Sequence, residues 1–112
     1  MNRDNILQML GLATRAGKIG CGEFMTEKSI KEGKACLVIV AEDASANTKK
    51  MFRNKCEFYE VPFAEYATKI DLGNAIGKEV RASLAVLDEG FATAIIKKMK
   101  LKNVTVSNNG GR

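Results

Sequence analysis

The chain of 112 residues contains no histidine, one proline and only three cysteines, and each scarcity narrows what the protein can do. Without histidine it lacks the commonest general base and the commonest protein ligand for metals. With one proline and no low-complexity tract before the last few residues, we expect one compact domain. The apolar runs near the N-terminus are short and broken by charges, so neither a signal peptide nor a membrane-spanning helix is predicted there.

The three cysteines are odd in number and share no metal-ligand spacing. Cys36 lies in an apolar run, Cys21 lies in a glycine turn, and Cys56 completes the set. We interpret them as reduced, mostly buried thiols of a cytoplasmic protein. A reactive thiol at Cys21, close to the start of a predicted helix, is the alternative. No metal and no cofactor is predicted.

The net charge of +5 is distributed unevenly along the chain. Residues 1–56 carry ten Lys/Arg against six Asp/Glu, residues 57–96 carry three against seven, and residues 97–112 carry five against none. This asymmetry indicates one basic face and a basic tail, a distribution that suits a phosphate backbone. An ordinary soluble protein with a lysine-rich C-terminus has the same signature, so charge alone leaves both interpretations open.

Strands alternate with helices in the hydrophobic pattern, which predicts a three-layer α/β/α sandwich around a small sheet of about four strands. Helices are predicted over about 4–16, 23–32, 63–69, 72–76 and 90–98, another helix begins at Ser45 or Asn47, and strands are predicted over 19–21, 35–41, 58–61 and 83–87. In the second helix, we expect Phe24 and Met25 to face the core. Residues 1–99 form the predicted domain, and residues 100–112 a basic, flexible tail.

Two patterns that resemble catalytic motifs are weak. Neither Gly11–Lys18 nor Gly22–Ser29 fits a phosphate-binding loop, because the first has five residues between its glycines and the second has Glu27 in place of a glycine. The carboxylate pairs Glu42/Asp43 and Asp88/Glu89 each follow a predicted strand, where helix capping explains them better than catalysis. The chain is therefore predicted not to be an enzyme. A small hydrolase that uses Glu42, Asp43 or Asp88 with a metal remains the alternative.

A phosphate-binding surface is predicted where the glycine turn leads into the second helix. Backbone amides near Gly20 and Gly22, together with the helix dipole, attract anions. Three lysines add positive charge nearby: Lys18, Lys28 and Lys31. Arg81 is able to reach a phosphate or a guanine edge. Because no segment resembles a basic recognition helix, structured RNA is a more natural target than double-stranded DNA.

Three segments carry a family resemblance: GEFMTEKSIKEG (residues 22–33), LVIVAEDAS (37–45) and KIDLGNAIGKEVRAS (69–83). In this order they resemble the ribosomal protein L7Ae/L30e family of kink-turn RNA-binding proteins, and within it the bacterial YlxQ-type members most. The resemblance covers roughly residues 5–98. Its most specific parts are the Ala-Glu-Asp turn after the apolar strand and a Lys-x-x-Leu-Gly-x-Ala-x-Gly run, which is matched by Lys69, Leu72, Gly73, Ala75 and Gly77.

The resemblance implies a fold and a set of contacts with RNA. Its implied fold agrees with the predicted sandwich. In the family, a Gly-x-Asn-Glu-x-x-Lys pattern at the start of the second helix enters the groove of a kinked RNA and recognises sheared G·A pairs. Here Gly22 and Lys28 match that pattern, but Phe24 and Met25 replace the Asn and Glu. Glu23, one position earlier, is the candidate to substitute in part.

Further contacts are implied from the other two segments. The loop over residues 78–81 would pack an apolar side chain, Val80, on exposed bases, while Lys78 and Arg81 approach phosphates. Three residues correspond to positions around the nucleotide that is flipped out at the kink: Ser45, Lys49 and Lys69.

Together these observations predict a cytoplasmic, non-enzymatic protein that binds kink-turn or internally looped RNA, such as ribosomal or regulatory RNA. We expect a monomer with no membrane partner, in which charge reversal of Lys28 or Arg81 weakens RNA binding more than reversal of Lys97. The leading alternative is a protein-interaction module that keeps the fold but has lost specific RNA recognition, as the residues at 24 and 25 would permit.

Overall fold

A computed structural model describes residues 4–107 as five helices and five strands. The helices are α1 (Asn5–Arg15), α2 (Gly22–Lys31), α3 (Ala46–Tyr59), α4 (Lys69–Ala75) and α5 (Glu89–Leu101), and the strands are β1 (Ile19–Cys21), β2 (Leu37–Val40), β3 (Phe63–Glu65), β4 (Ser83–Val86) and β5 (Val106–Ser107). Asp4 caps the start of α1, and its carboxylate accepts a hydrogen bond of 2.9 Å from the Leu7 amide. This cap satisfies one of the free amides of the first turn.

The strands form one mixed sheet in the order β1-β4-β2-β3-β5. Strand β2 runs parallel to β3 and antiparallel to β4, and the edge strands β1 and β5 are antiparallel to their neighbours. Every residue of β2 is fully buried. A continuous apolar run of this kind is typical of a strand that is covered on both faces.

Two groups of helices cover the sheet. Helix α1 packs against α4 and α5, and helix α2 packs against α3. Between them, buried apolar side chains such as Ile6, Leu10, Ile39, Phe52 and Ile95 form one core. The predicted three-layer α/β/α sandwich is confirmed, with five strands instead of about four.

The prediction for residues 58–69 is wrong in both elements. Residues 58 and 59 belong to the last turn of α3, which ends where Glu60 adopts the left-handed conformation at φ 60°. The strand starts later, at Phe63, which pairs with Val38 of β2. The aromatic residues at the end of α3 gave this segment the composition of a strand. The three residues of β3 are too few to show an alternation of apolar and polar side chains.

The folded body extends beyond residue 99, where the sequence predicted its end. Helix α5 continues to Leu101, and Val106 and Ser107 then pair with β3. Val104 and Val106 pack against the core, which is why this segment joins the sheet. The remainder of the predicted flexible tail, residues 108–112, lies outside the described residues.

All three cysteines are unpaired, in agreement with the sequence prediction of reduced thiols. Cys56 is buried, and its desolvation raises the pKa of the thiol to about 12. Cys21 and Cys36 are half-buried. Within residues 4–107, no helix is long and apolar enough to span a membrane.

Candidate nucleic-acid interface

The start of α2 and the segment that leads into β4 meet at one end of the sheet, where strands β1 and β2 end and strand β4 begins. Cys21, the last residue of β1, pairs with Leu84, so Gly22 emerges beside Ser83. Ser83 in turn pairs with Val40, the last residue of β2. The side-chain oxygens of Ser83 and Thr26 of α2 lie 3.4 Å apart and both residues are buried.

Backbone hydrogen bonds join the loops at this edge. The Ala41 amide donates to the Ala82 carbonyl at 2.8 Å, and the Arg81 amide donates to the Lys69 carbonyl at 3.1 Å. The Lys69 amide donates to the Asp43 carboxylate at 2.9 Å. We call this surface the loop edge, defined by Gly22 and Glu23 together with residues 41–45, 66–69 and 77–82. Its loops are held together before any partner binds.

Two glycines shape the loop over residues 77–82. Gly77 has φ 77°, a conformation that glycine adopts without strain. At Gly73, an added Cβ would lie 2.7 Å from the carbonyl carbon of Glu79 and 2.9 Å from the amide nitrogen of Val80. Glycine at position 73 therefore allows the loop to pack directly on α4.

The beginning of α2 is open to an anion. Gly22 has φ 88°, and no side chain caps the helix at Cys21. Free amides in a first turn, with the helix dipole behind them, attract negative charge. Glu23 lies exposed in the same turn and opposes this attraction.

Three of the cations predicted to bind RNA are free at the loop edge. Among the described residues, no carboxylate forms an ion pair with Lys69, Lys78 or Arg81. The Arg81 guanidinium donates a hydrogen bond of 2.7 Å to the carbonyl of its neighbour Val80, which holds the arginine close to the loop. These side chains can bind phosphates without first breaking an ion pair.

The sequence as a whole is similar to known proteins. Residues 4–96 match the model of the ribosomal protein L7Ae/L30e/S12e/Gadd45 family. The chain belongs to this family. It is 46% identical over 88 residues to the RNA-binding protein YlxQ of Bacillus subtilis, a match that covers 79% of this chain and 88% of that protein. It is 43% identical over 91 residues to the RNA-binding protein YlxQ of Enterococcus faecium, covering 81% and 87% of the two chains.

A solved structure has the same fold as this chain. This protein of unknown function from Bacillus halodurans superimposes with a TM-score of 0.83 at 35% identity, over 86% of this chain and 97% of that one. The resemblance that the sequence segments carried is therefore confirmed at the level of family and fold.

Within this L7Ae-family fold, the two lysines of α2 that were predicted to bind RNA form ion pairs with carboxylates and lie away from the loop edge. Lys28 pairs with Glu32 at 2.9 Å, and Lys31 pairs with Glu27 at 3.4 Å. The hydrogen bond from Lys28 lowers the pKa of Glu32. Helix α2 runs away from the loop edge, so at 1.5 Å per residue Lys28 lies about 9 Å along the axis from its start and Lys31 about 13 Å.

Three further residues predicted to contact RNA lie around α3 and β1: Ser45, Lys49 and Lys18. Lys49 pairs with Glu65 at 3.6 Å, and Ser45 caps α3 by accepting a hydrogen bond from the Thr48 amide. Lys18 lies at the opposite end of β1 from the loop edge, because its carbonyl accepts from the Leu87 amide after β4 has ended. Lys18 and Gly22 lie at opposite ends of strand β1, so the structure does not bring Lys18 together with the residues of the loop edge.

Gly20 is also excluded from the surface. It is buried in β1 opposite Ala85, and an added Cβ would lie 3.1 Å from the Ser29 hydroxyl oxygen of α2. Its role is to let α2 pack closely on the sheet, and it does not offer its amide to a phosphate.

The placement of Phe24 and Met25 in the core is wrong. Phe24 is 73% exposed and Met25 is 43% exposed. The inner face of α2 consists instead of Thr26, Ser29 and Ile30. Small side chains on that face bring the helix close to the sheet, which leaves no space for the larger pair. The helical spacing of residues 26, 29 and 30 indicated this buried face, but the greater hydrophobicity of Phe24 and Met25 led to the prediction that the other face is buried.

Two of the four carboxylates singled out in the sequence, Asp43 and Asp88, accept hydrogen bonds from backbone amides. Asp88 caps α5 by accepting a hydrogen bond of 2.9 Å from the Phe91 amide, and Asp43 accepts from the Lys69 amide. In the part of the chain that the structure describes, no three cysteine or acidic residues form a group that could hold a metal ion. The capping interpretation is thus confirmed for Asp88.

Proposed function

We propose that this protein binds structured RNA at the loop edge, with a kink-turn or an internal loop as the preferred element. The observation that carries this proposal is the meeting of the first turn of α2 with Lys69, Lys78 and Arg81, none of which forms an ion pair with another residue of 4–107. Membership of the L7Ae/L30e/S12e/Gadd45 family and similarity to proteins named RNA-binding support it.

In this proposal, phosphates bind to the free cations and to the open amides of α2, and Val80 contacts a base. Val80 is 48% exposed in the middle of the loop. Double-stranded RNA presents its bases poorly to side chains, whereas loops and bulges leave bases accessible. The role is one of binding without catalysis. It is exercised by a monomer in the cytoplasm, on ribosomal or regulatory RNA.

A gel-shift titration tests the proposal directly. The full chain is titrated against a kink-turn hairpin and against a plain RNA duplex of the same length, at 50 and 200 mM salt. We expect tighter binding to the hairpin at both concentrations, and weaker binding to both RNAs at high salt, because the release of counterions from phosphates drives binding less when the salt concentration is high. Equal affinity for hairpin and duplex would contradict the proposal and favour the protein-interaction alternative.

Charge reversal locates the site. Arg81→Glu should weaken hairpin binding by about 1 to 3 kcal/mol, because it places a negative charge where a phosphate is expected. Lys97→Glu is the matched control: Lys97 is equally cationic but exposed on α5, in the other helix layer. Lys28→Glu should lie between them, since Lys28 must leave Glu32 to bind RNA. Equal losses for all three variants would mean that attraction is diffuse and that the loop edge is not the site.

A further inference from the structure

The first turn of α2 presents two large apolar side chains to solvent beside the loop edge. Phe24 and Met25 are the third and fourth residues of the helix, and 73% and 43% of their surfaces are exposed. Large apolar side chains that are exposed next to each other form a patch of the kind that often marks a binding site. Here the buried face of the helix is already occupied by smaller residues, so the exposed pair contributes little to the core.

Positive charge flanks this apolar pair. Residues three and four apart in a helix are neighbours on its surface, so Lys28 lies beside both Phe24 and Met25. Lys28 forms its ion pair with Glu32, one turn further from the loop edge, which leaves Phe24 and Met25 uncovered by that pair. On the other side, the Thr26 and Ser83 contact ties the same part of α2 to the segment that carries Val80 and Arg81.

An apolar surface between cations is suited to one kind of ligand in particular. An unpaired nucleobase offers a flat apolar face and is joined to phosphates that seek positive charge. A protein partner with an acidic rim would satisfy the charges and the open amides of α2, but its carboxylates offer no flat apolar face to Phe24 and Met25. Glu23 and Glu79 are exposed nearby and disfavour phosphates at their own positions, so the base faces would lie on the apolar side chains and the phosphates near Lys28 and Arg81.

Resting on the RNA-binding function proposed above, we infer that Phe24 and Met25, together with Val80, form a stacking platform for unpaired RNA bases. Phenyl and thioether side chains cannot form the hydrogen bonds that distinguish guanine from other bases. The RNA class bound is therefore one with splayed or unpaired bases in an internal loop or bulge, largely irrespective of base identity. Affinity should depend on the presence of unpaired bases and only weakly on sheared G·A pairs.

Three RNAs of equal length separate these possibilities: a kink-turn hairpin with its tandem G·A pairs, the same hairpin with those pairs replaced by U·U mismatches, and a fully paired duplex. We expect the full chain to bind the two looped hairpins within about threefold of each other and both more tightly than the duplex. Phe24→Ala should weaken binding to both looped hairpins alike, by about 5-fold to 150-fold. Because Phe24 is exposed, this variant retains its core.

Phe58→Ala is the matched control. Phe58 is 78% exposed, but it lies in the last turn of α3, near the opposite end of the parallel strands from the loop edge. Its replacement should leave the affinity for all three RNAs unchanged. A loss of equal size for both variants, or no loss for Phe24→Ala, would overturn the stacking platform and, in the second case, indicate a protein partner for Phe24.

Fluorescence gives a second readout, since the chain contains no tryptophan. Phe24→Trp introduces a single reporter, whose emission should be quenched when a base of either looped hairpin stacks on it, whereas Phe58→Trp should not respond. The double variant Phe24→Asn/Met25→Glu supplies polar groups and should raise the preference for the G·A hairpin over the U·U hairpin. A wild-type preference of tenfold or more for the G·A hairpin would overturn the inference and leave RNA binding intact, whereas failure to prefer either hairpin over the duplex would remove the proposed function itself.

Discussion

Gly73 shows how much a single residue can decide at the loop edge. The main chain of Glu79 and Val80 passes so close to α4 that no side chain fits at position 73, and the Lys78 amide donates a hydrogen bond of 2.7 Å to the Gly73 carbonyl. The family motif contains glycine here because the loop over residues 77–82 rests on this position. A residue that contacts no RNA thereby sets the positions of Val80 and Arg81.

Gly73→Ala should therefore affect both stability and binding. We expect the free energy of unfolding to fall by about 1 to 3 kcal/mol, since the loop backbone must move to admit the methyl group. Hairpin affinity should fall as well, because Arg81 moves with the loop. Urea unfolding and gel shift on the same preparation measure the two effects. Gly33→Ala, at a position with φ 75° remote from the loop edge, is the control, and it should reduce stability without reducing the affinity of the folded protein.

At the scale of elements, the start of α1 is tied to the end of β3. The Tyr66 hydroxyl donates a hydrogen bond to the Asp4 carboxylate, and Lys102 approaches the same carboxylate at 3.7 Å. Burial alone raises the pKa of Asp4, but the hydrogen bonds from Tyr66 and from the Leu7 amide, with the charge of Lys102, outweigh it and lower the pKa below its ordinary value of 3.8. The ionised carboxylate thus stabilises the folded state.

Tyr66→Phe tests this connection through its pH dependence. Because the folded-state pKa of Asp4 is lowered, its contribution is fully present above the unfolded value and is lost as the pH falls through the folded value. The variant should lose about 1.5 to 3 kcal/mol of unfolding free energy at pH 7, the range for a hydrogen bond to a charged group. At pH 2 to 3, the difference from the wild type should shrink. Urea titrations at both values measure it, and a constant difference would contradict the role of ionised Asp4.

Helix α2 illustrates a second effect at the scale of elements. Its inward face is small and partly polar, and its outward face carries Phe24, Met25 and Lys28. Usually the larger apolar side chains of a helix face the core. Close packing against β1, where Gly20 contacts Ser29, requires the reverse arrangement in α2. The same arrangement leaves Phe24 and Met25 exposed on the outer face, as the proposed stacking platform requires.

For the whole molecule, the C-terminal segment completes the sheet. Strand β5 pairs with β3, and Val104 and Val106 pack against the core. Lys102 also links this segment to Asp4 at the start of α1. The first and last elements of the described chain therefore support each other.

Truncation tests this contribution. A chain that ends after residue 99 should be less stable than one that ends after Ser107 by about 2 to 4 kcal/mol, because it exposes core surface that the two valines cover. Thermal or urea unfolding of both chains provides the measurement. Equal stability would show that β5 adds nothing to the folded body and would restore the boundary that the sequence predicted at residue 99.

Residues with strong local signals were predictable. The run Leu37–Val40 is apolar throughout and became the central strand, Ser45 capped α3, and Asp88 capped α5. The region around Phe63 was not predictable, because a three-residue strand carries almost no periodicity and its pairing with β2 is decided at long range. Of the predicted site residues, those at the ends of β1, β2 and β4 came together, whereas Lys18 and Gly20 did not.

By itself, the sequence determined the family, the three-layer class of fold and the residue types available for binding RNA, because composition and short motifs are local properties. Only the tertiary structure decided which of those residues share a surface, which lysines are already paired with carboxylates, and that Phe24 and Met25 face solvent. The physical reason is that strand direction and close packing of small residues act between segments far apart in the chain, and no local pattern encodes the distance at which two segments finally meet.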